Sequence, residues 1–192
     1  TLKNAANNLD YEIGYKMNRN SDGTFSYEYV QGLPNSGSLD GLVVNSPLDG
    51  LIHSHNQGTD MLSIFSLADI FTLGALVQGN LINNIDNFVF GVVTSTDTYL
   101  LSIDNVNSFL GYFSANQIDP TNENHLNLYE FEFLIFVNSQ NSALQNEIGL
   151  INFINEKNLG LSVIKGDPNS FNSWNKISTN RGKTNTIIVN CN

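Results

Sequence analysis

Cysteine is almost missing from this chain. Among 192 residues only Cys191 carries a thiol. One cysteine allows no intramolecular disulfide and no Cys-rich metal site. Cationic side chains are also scarce: eight Lys and Arg stand against eighteen Asp and Glu, for a formal net charge of −10 and a pI near 4.4. Phosphate neutralisation needs clustered Lys and Arg, so a nucleic-acid partner is disfavoured. An anionic membrane surface is disfavoured for the same reason. No apolar run approaches the roughly 18 residues of a membrane-spanning helix, so no membrane partner is expected. No signal-peptide pattern is visible, and the first residue is Thr1 rather than Met. A processed product is therefore one expectation. The other is a domain of a larger bacterial polypeptide, C-terminal within it, either cytoplasmic or secreted.

What is present points to a folded domain. Hydrophobic residues make up 41% of the chain but charged residues only 14%, so Asn, Ser and Thr must supply much of the polar surface. Asn occurs 31 times, without the long run that marks a disordered tract. The length suits one domain over 1–192 with a sizeable core, and no repeat or linker divides it.

Periodicity and turn residues predict a mixed order of strands and helices. Tyr11 to Tyr15 and Thr24 to Val30 read as strands around an Asn20-Ser21-Asp22-Gly23 turn. Gly32 to Gly41 reads as loop, and Leu51 to His55 as a buried strand. Ser66 fits a helix N-cap, with Asp69 three residues on as in a capping box; Ile70, Leu73, Leu76 and Val77 follow at helical spacing, and Gly79 fits the stop. Phe88 to Thr94 and Thr98 to Ile103 form a hairpin. Val106 to Phe113 is a short amphipathic helix. Leu126 to Val137 reads as a buried helix, although the Phe131-Glu132-Phe133 alternation also permits a strand. Ser142 to Lys157 is a helix with a Leu144, Ile148, Ile151, Ile154 stripe. Leu161 to Ile164 and Thr186 to Val189 read as late strands. The fold class is α+β (mixed α/β).

Only three histidines occur, and two of them lie in Gly50-Leu51-Ile52-His53-Ser54-His55. Residues i and i+2 of an extended segment share a face, so both imidazoles can reach one point. An Asp on the next element, Asp69, completes three ligands and leaves the fourth position open, the pattern of catalytic zinc. A metal-dependent hydrolase is the leading reading. Ser-x-x-Asp is also an ordinary helix start, and the two roles are compatible.

With Glu12 upstream in Tyr11-Glu12-Ile13-Gly14, the set His53-x-His55 and Ser66-x-x-Asp69 resembles the JAB/MPN domain and its JAMM metal motif. The resemblance covers roughly residues 11–105. It implies a cytidine-deaminase-like curved central sheet flanked by helices. It implies Zn²⁺ on His53, His55 and Asp69, Glu12 as general acid/base, and Ser66 as an oxyanion donor. The implied activity is that of a peptidase or isopeptidase acting on a protein or peptide. The connection departs from the family: thirteen residues separate His55 from Asp69, more than is usual. The usual spacing would place Ser63 and Ser66 at the Ser and Asp positions.

Rivals stand beside this assignment. Asp60 is an alternative third ligand and Glu28 an alternative general base. Asp49 fits a turn with Gly50 or a supporting role at the site. His125 reads as a surface residue, Glu130 and Glu132 as a solvated face, and Tyr129 and Trp174 as core. A non-catalytic MPN-like interaction module is a second class of function. An effector or toxin domain with another metal-dependent hydrolase activity is a third.

Overall fold

The computed structural model describes residues 1–56, 61–167 and 172–189. Its strands are β1 (Ile13–Arg19), β2 (Phe25–Gln31), β3 (Gly50–Ser54), β4 (Val89–Val93), β5 (Thr98–Ile103), β6 (Leu161–Gly166), β7 (Trp174–Thr179) and β8 (Thr186–Val189). The helices are α1 (Leu2–Asn8), α2 (Leu67–Gln78), α3 (Val106–Ala115), α4 (Glu123–Leu134) and α5 (Ala143–Glu156). All eight strands join one mixed sheet in the order β2-β1-β3-β4-β5-β6-β7-β8, so the α+β reading stands.

Among the described strands, β3 and β4 are the one pair that runs parallel. Parallel neighbours need a crossover, and α2 lies within it. The β3-α2 connection therefore begins at the strand end that carries the histidines. Ser66 caps α2 with a complete capping box to Asp69, satisfying backbone N–H groups that have no partner inside the helix. Leu67, Ile70, Phe71, Leu73, Leu76 and Val77 turn inward from α2. Phe71 meets the Phe113 ring of α3 edge-on at 5.6 Å. Phe65, just before the cap, stacks on Phe90 of β4.

Residues 104–160, which contain α3, α4 and α5, form a helical excursion between the antiparallel neighbours β5 and β6. α5 packs on β6, β7 and β8, while α2 meets α3 and α4. Gly149 of α5 allows an unusually close approach: a Cβ there would lie 1.9 Å from the Phe136 carbonyl oxygen. The α4–α5 turn thus rests directly on the α5 backbone.

Several expectations need correction. α4 is a helix, but it is not buried. Phe133 is fully enclosed against Phe153, whereas Leu128 and Phe131 are 70% and 79% exposed. The apolar residues run round the helix, and only one side of it has something to pack on. On α5, Ile151 and Ile154 are buried but Leu144 is exposed; the inward face turns instead to Leu150 and Phe153, with Asn146 and Glu147 enclosed beside them. Trp174 is exposed and Tyr129 only half-buried, so neither is core. β7 is missing from the sequence-based order because Ile177 is its only buried residue.

Candidate metal centre

The centre forms where β3 meets the start of β1. Glu12 immediately precedes β1, and Gly14 pairs with His53. A Cβ on Gly14 would come within 2.8 Å of the Leu39 side chain and 3.4 Å of the His53 Cβ, so glycine keeps this crossing tight. Ser54, between the two histidines, accepts a hydrogen bond from the Ile13 amide at 3.2 Å. The Gly32 amide donates to the Glu12 carbonyl at 2.8 Å. These bonds hold Glu12 beside the His-x-His strand end. His55 lies one residue beyond β3, and its amide still donates to the Val93 carbonyl at 3.0 Å.

Asp69 then arrives from the first turn of α2. Its Oδ1 lies 3.0 Å from His53 Nε2, and its Oδ2 lies 3.3 Å from His55 Nε2. One ligand atom from each of the three residues falls within 4.8 Å of the others. A tetrahedral ion holds N and O donors at about 2.0–2.2 Å, so the three residues are near enough for modest side-chain adjustment to place one donor from each on a common ion. Both ring nitrogens of His53 are buried without a hydrogen-bond partner; the approach of Asp69 is near but not aligned as a hydrogen bond. Unsatisfied polar atoms are costly in an interior, and a cation among these donors would relieve that cost. His53, His55 and Asp69 are therefore a group that could hold a metal ion.

Supporting contacts orient the group. His55 Nδ1 is 2.9 Å from the Leu62 carbonyl. An Nδ1–H donating there leaves Nε2 on the side facing Asp69, the orientation commonly found behind metal-binding histidines. The Ser66 amide and hydroxyl both donate to Asp69 Oδ2, at 2.7 and 2.8 Å. Glu12 Oε1 lies 4.0 Å from His55 Nε2, close to the cluster without belonging to the three-ligand set.

The charges are strongly coupled. Burial raises the Glu12 carboxyl above its ordinary value, and the two nearby imidazoles only partly offset this. Burial acts to depress His55, but Asp69, Glu12 and the Leu62 carbonyl outweigh it and push the imidazole up to about 9. Burial acts to raise Asp69, yet His53 and His55 hold it well below the usual carboxylate range.

A cleft of about 590 Å³ opens onto Glu12, His55 and Ser66, and its far wall includes Glu130, Leu134 and Asn138. A recess of about 120 Å³ that shares Glu12 and Ser66 with this cleft reaches His53 and Asp69. The centre is thus buried but accessible.

The structure brings together Glu12, His53, His55, Ser66 and Asp69. Glu28 is absent from this group: its exposed carboxylate pairs with Lys16 at 2.5 Å. Asp49 accepts from the Arg19 amide at 2.7 Å, away from the cluster. His125 accepts from the Asp119 amide at 2.8 Å. Ser63 binds Asn146 rather than the histidines. Glu132 pairs with Lys157, but Glu130 faces the cleft rather than belonging to a merely solvated surface. Asp60 and Cys191 lie outside the described residues. Sequence reasoning missed Ser54 and Leu62. Ser54 had a readable signal, since the central residue of His-x-His must face the opposite side of the strand. Leu62 had none, because it acts through its carbonyl.

No protein-family model, no curated protein and no solved structure matches this chain.

Proposed function

We propose that the protein is a zinc-dependent peptidase or isopeptidase of JAB/MPN type, hydrolysing an amide bond in a protein or peptide. The observation that carries this reading is a buried carboxylate, Glu12, beside the His53–His55–Asp69 group, with Glu12, His55 and Ser66 lining a cleft. Two imidazoles and a carboxylate suit zinc and leave one coordination position for water. The parallel β3-α2-β4 unit and the flanking antiparallel strands are compatible with the JAB/MPN-like sheet.

Bound zinc would supply Lewis acidity, polarising the substrate carbonyl and making water a nucleophile near neutral pH. Glu12 accepts a proton from the attacking water and returns it to the departing amine. Its raised carboxyl value suits this exchange, because a base poised nearer the working pH both takes and releases protons. His53 and His55 would each offer a ring nitrogen and Asp69 a carboxylate oxygen, and zinc binding would displace the proton that the raised value keeps on His55 in the free protein. The Leu62 carbonyl keeps His55 turned inward. Ser66 orients Asp69 through two hydrogen bonds; to serve also as an oxyanion donor, its hydroxyl must turn away from Oδ2. Leu134, Met61 and Leu62 offer an apolar surface to the residues beside the scissile amide.

The test is hydrolysis of a diverse peptide mixture by zinc-loaded protein, read by mass spectrometry of new termini. New termini that vanish on chelation and in Glu12→Gln support the reading. Cleavage that persists in Glu12→Gln, or none by fully zinc-loaded protein, counts against it.

A further inference from the structure

Asn146, far along the chain, anchors Ser63 in the described residues that lead into α2. Asn146 is in α5 and only 1% exposed. Its Nδ2 donates to Ser63 Oγ and to the Asn138 carbonyl, both at 3.0 Å. Its Oδ1 accepts from the Asn138 amide at 3.0 Å and from Asn141 Nδ2 at 3.1 Å. These four bonds use the whole capacity of a carboxamide, two donors and two lone pairs.

The two ends of this clasp belong to different parts of the candidate centre. Ser63 follows Leu62, whose carbonyl holds His55 Nδ1. Asn138 opens the segment Asn138-Ser139-Gln140, which lines the same cleft as Glu12 and His55. Asn138 is also fixed from behind, because Gly149, three residues after Asn146, lets the Phe136 carbonyl rest on α5. A single buried amide therefore ties Ser63, next to Leu62, to the Asn138 segment that lines the cleft.

We infer that Asn146 is a positioning residue of the metal centre. Through Ser63 it fixes Leu62, and through Leu62 the orientation of His55. It acts on the centre without touching it. An amide is suited to this because one Nδ2 hydrogen reaches the Ser63 hydroxyl while the rest of the group engages the Asn138 backbone and the Asn141 side chain. The inference deepens the zinc reading and rests on it.

Ser63→Ala removes one acceptor from a half-buried loop and leaves the α5 packing intact, so it is the primary variant. Asn146→Ala is the second, and Ser63→Thr, which keeps the hydroxyl, is the rescue. Zinc affinity is measured by competition with a chromophoric chelator, and ligand geometry by the visible spectrum of the Co²⁺-loaded protein. Ser63→Ala is expected to weaken zinc binding about tenfold, at the lower end for outer-shell partners, and to shift the Co²⁺ bands. Ser63→Thr restores both. A merely structural Asn146 would lower thermal stability in Asn146→Ala and leave affinity and spectrum unchanged in both variants; that result overturns the inference.

The His55 ring proton is followed by NMR in the metal-free protein, which separates this inference from the zinc reading. Faster exchange of the Nδ1 proton in Ser63→Ala supports the positioning role even if wild type binds no zinc. Unchanged exchange overturns it even if zinc binds.

Discussion

Ser66 and Asp69 hold each other in both directions. The Asp69 amide donates to Ser66 Oγ at 3.1 Å, while the Ser66 amide and hydroxyl donate to Asp69 Oδ2 at 2.7 and 2.8 Å. The contact that starts α2 is therefore the contact that orients the candidate ligand Asp69. Helix capping does not compete with the proposed metal role of Ser-x-x-Asp, since one geometry is compatible with both.

Ser66→Ala should accordingly fail in two measurable ways. Loss of the cap costs about 1 kcal/mol, lowering Tm by about 2–4 °C for a chain of this size. Zinc affinity should fall as well, because Asp69 Oδ2 loses its hydroxyl donor. Calorimetry and zinc titration on the same preparation check the pair. A Tm loss with unchanged zinc affinity would confine Ser66 to the helix.

Glu12→Gln should keep the metal and lose the reaction. Glutamine preserves shape but cannot accept a proton. Turnover of a cleaved peptide should drop about 10²- to 10⁴-fold, with one zinc still bound. Loss of zinc in this variant would instead make Glu12 a ligand.

Glu147 should prove structural. It is 2% exposed and accepts from Tyr99 at 2.8 Å, Lys165 at 2.5 Å and Thr186 at 3.1 Å, joining α5 to β5, β6 and β8. Removing Glu147 leaves the buried Tyr99 hydroxyl without its acceptor, whereas half-exposed Lys165 keeps Asp97 at 3.0 Å. Glu147→Ala should cost about 1–3 kcal/mol in urea unfolding while zinc affinity in the folded protein is unchanged.

Asp104 should contribute a pH-dependent share of stability. Partial burial acts to raise its carboxyl, but Lys176, Ser162 and Ser102 outweigh this and hold it below its ordinary value of 3.8. A carboxylate lowered on folding stabilises the native state above its unfolded value, and that stability is lost as pH falls through the folded value. Wild type should therefore exceed Asp104→Asn in stability at neutral pH, with the gap closing below about pH 4. A gap that is constant with pH would mean the asparagine disrupts packing rather than removing a charge.

The strand-to-helix unit around the centre was legible because its signals are local. Gly50 to His55 is an apolar run ending in polar groups, and Ser66 with Asp69 marks a helix start by side-chain chemistry alone. The burial of α4 was misread because Leu126 to Val137 is rich in apolar residues, whereas exposure depends on what packs against each side. β7 escaped notice because an outer strand with one inward residue carries little alternation. Asn146 and Leu62 were invisible for another reason: a buried amide 83 residues from Ser63 and a backbone carbonyl leave no pattern in a linear sequence.

The most direct test is metal stoichiometry and its dependence on one carboxylate. Wild-type protein incubated with zinc and desalted should retain one ion per chain; Asp69→Ala should lose it and Asp60→Ala should keep it. Wild type that retains no zinc, or zinc that survives Asp69→Ala and disappears in Asp60→Ala, would contradict the assignment of His53, His55 and Asp69 as the metal centre.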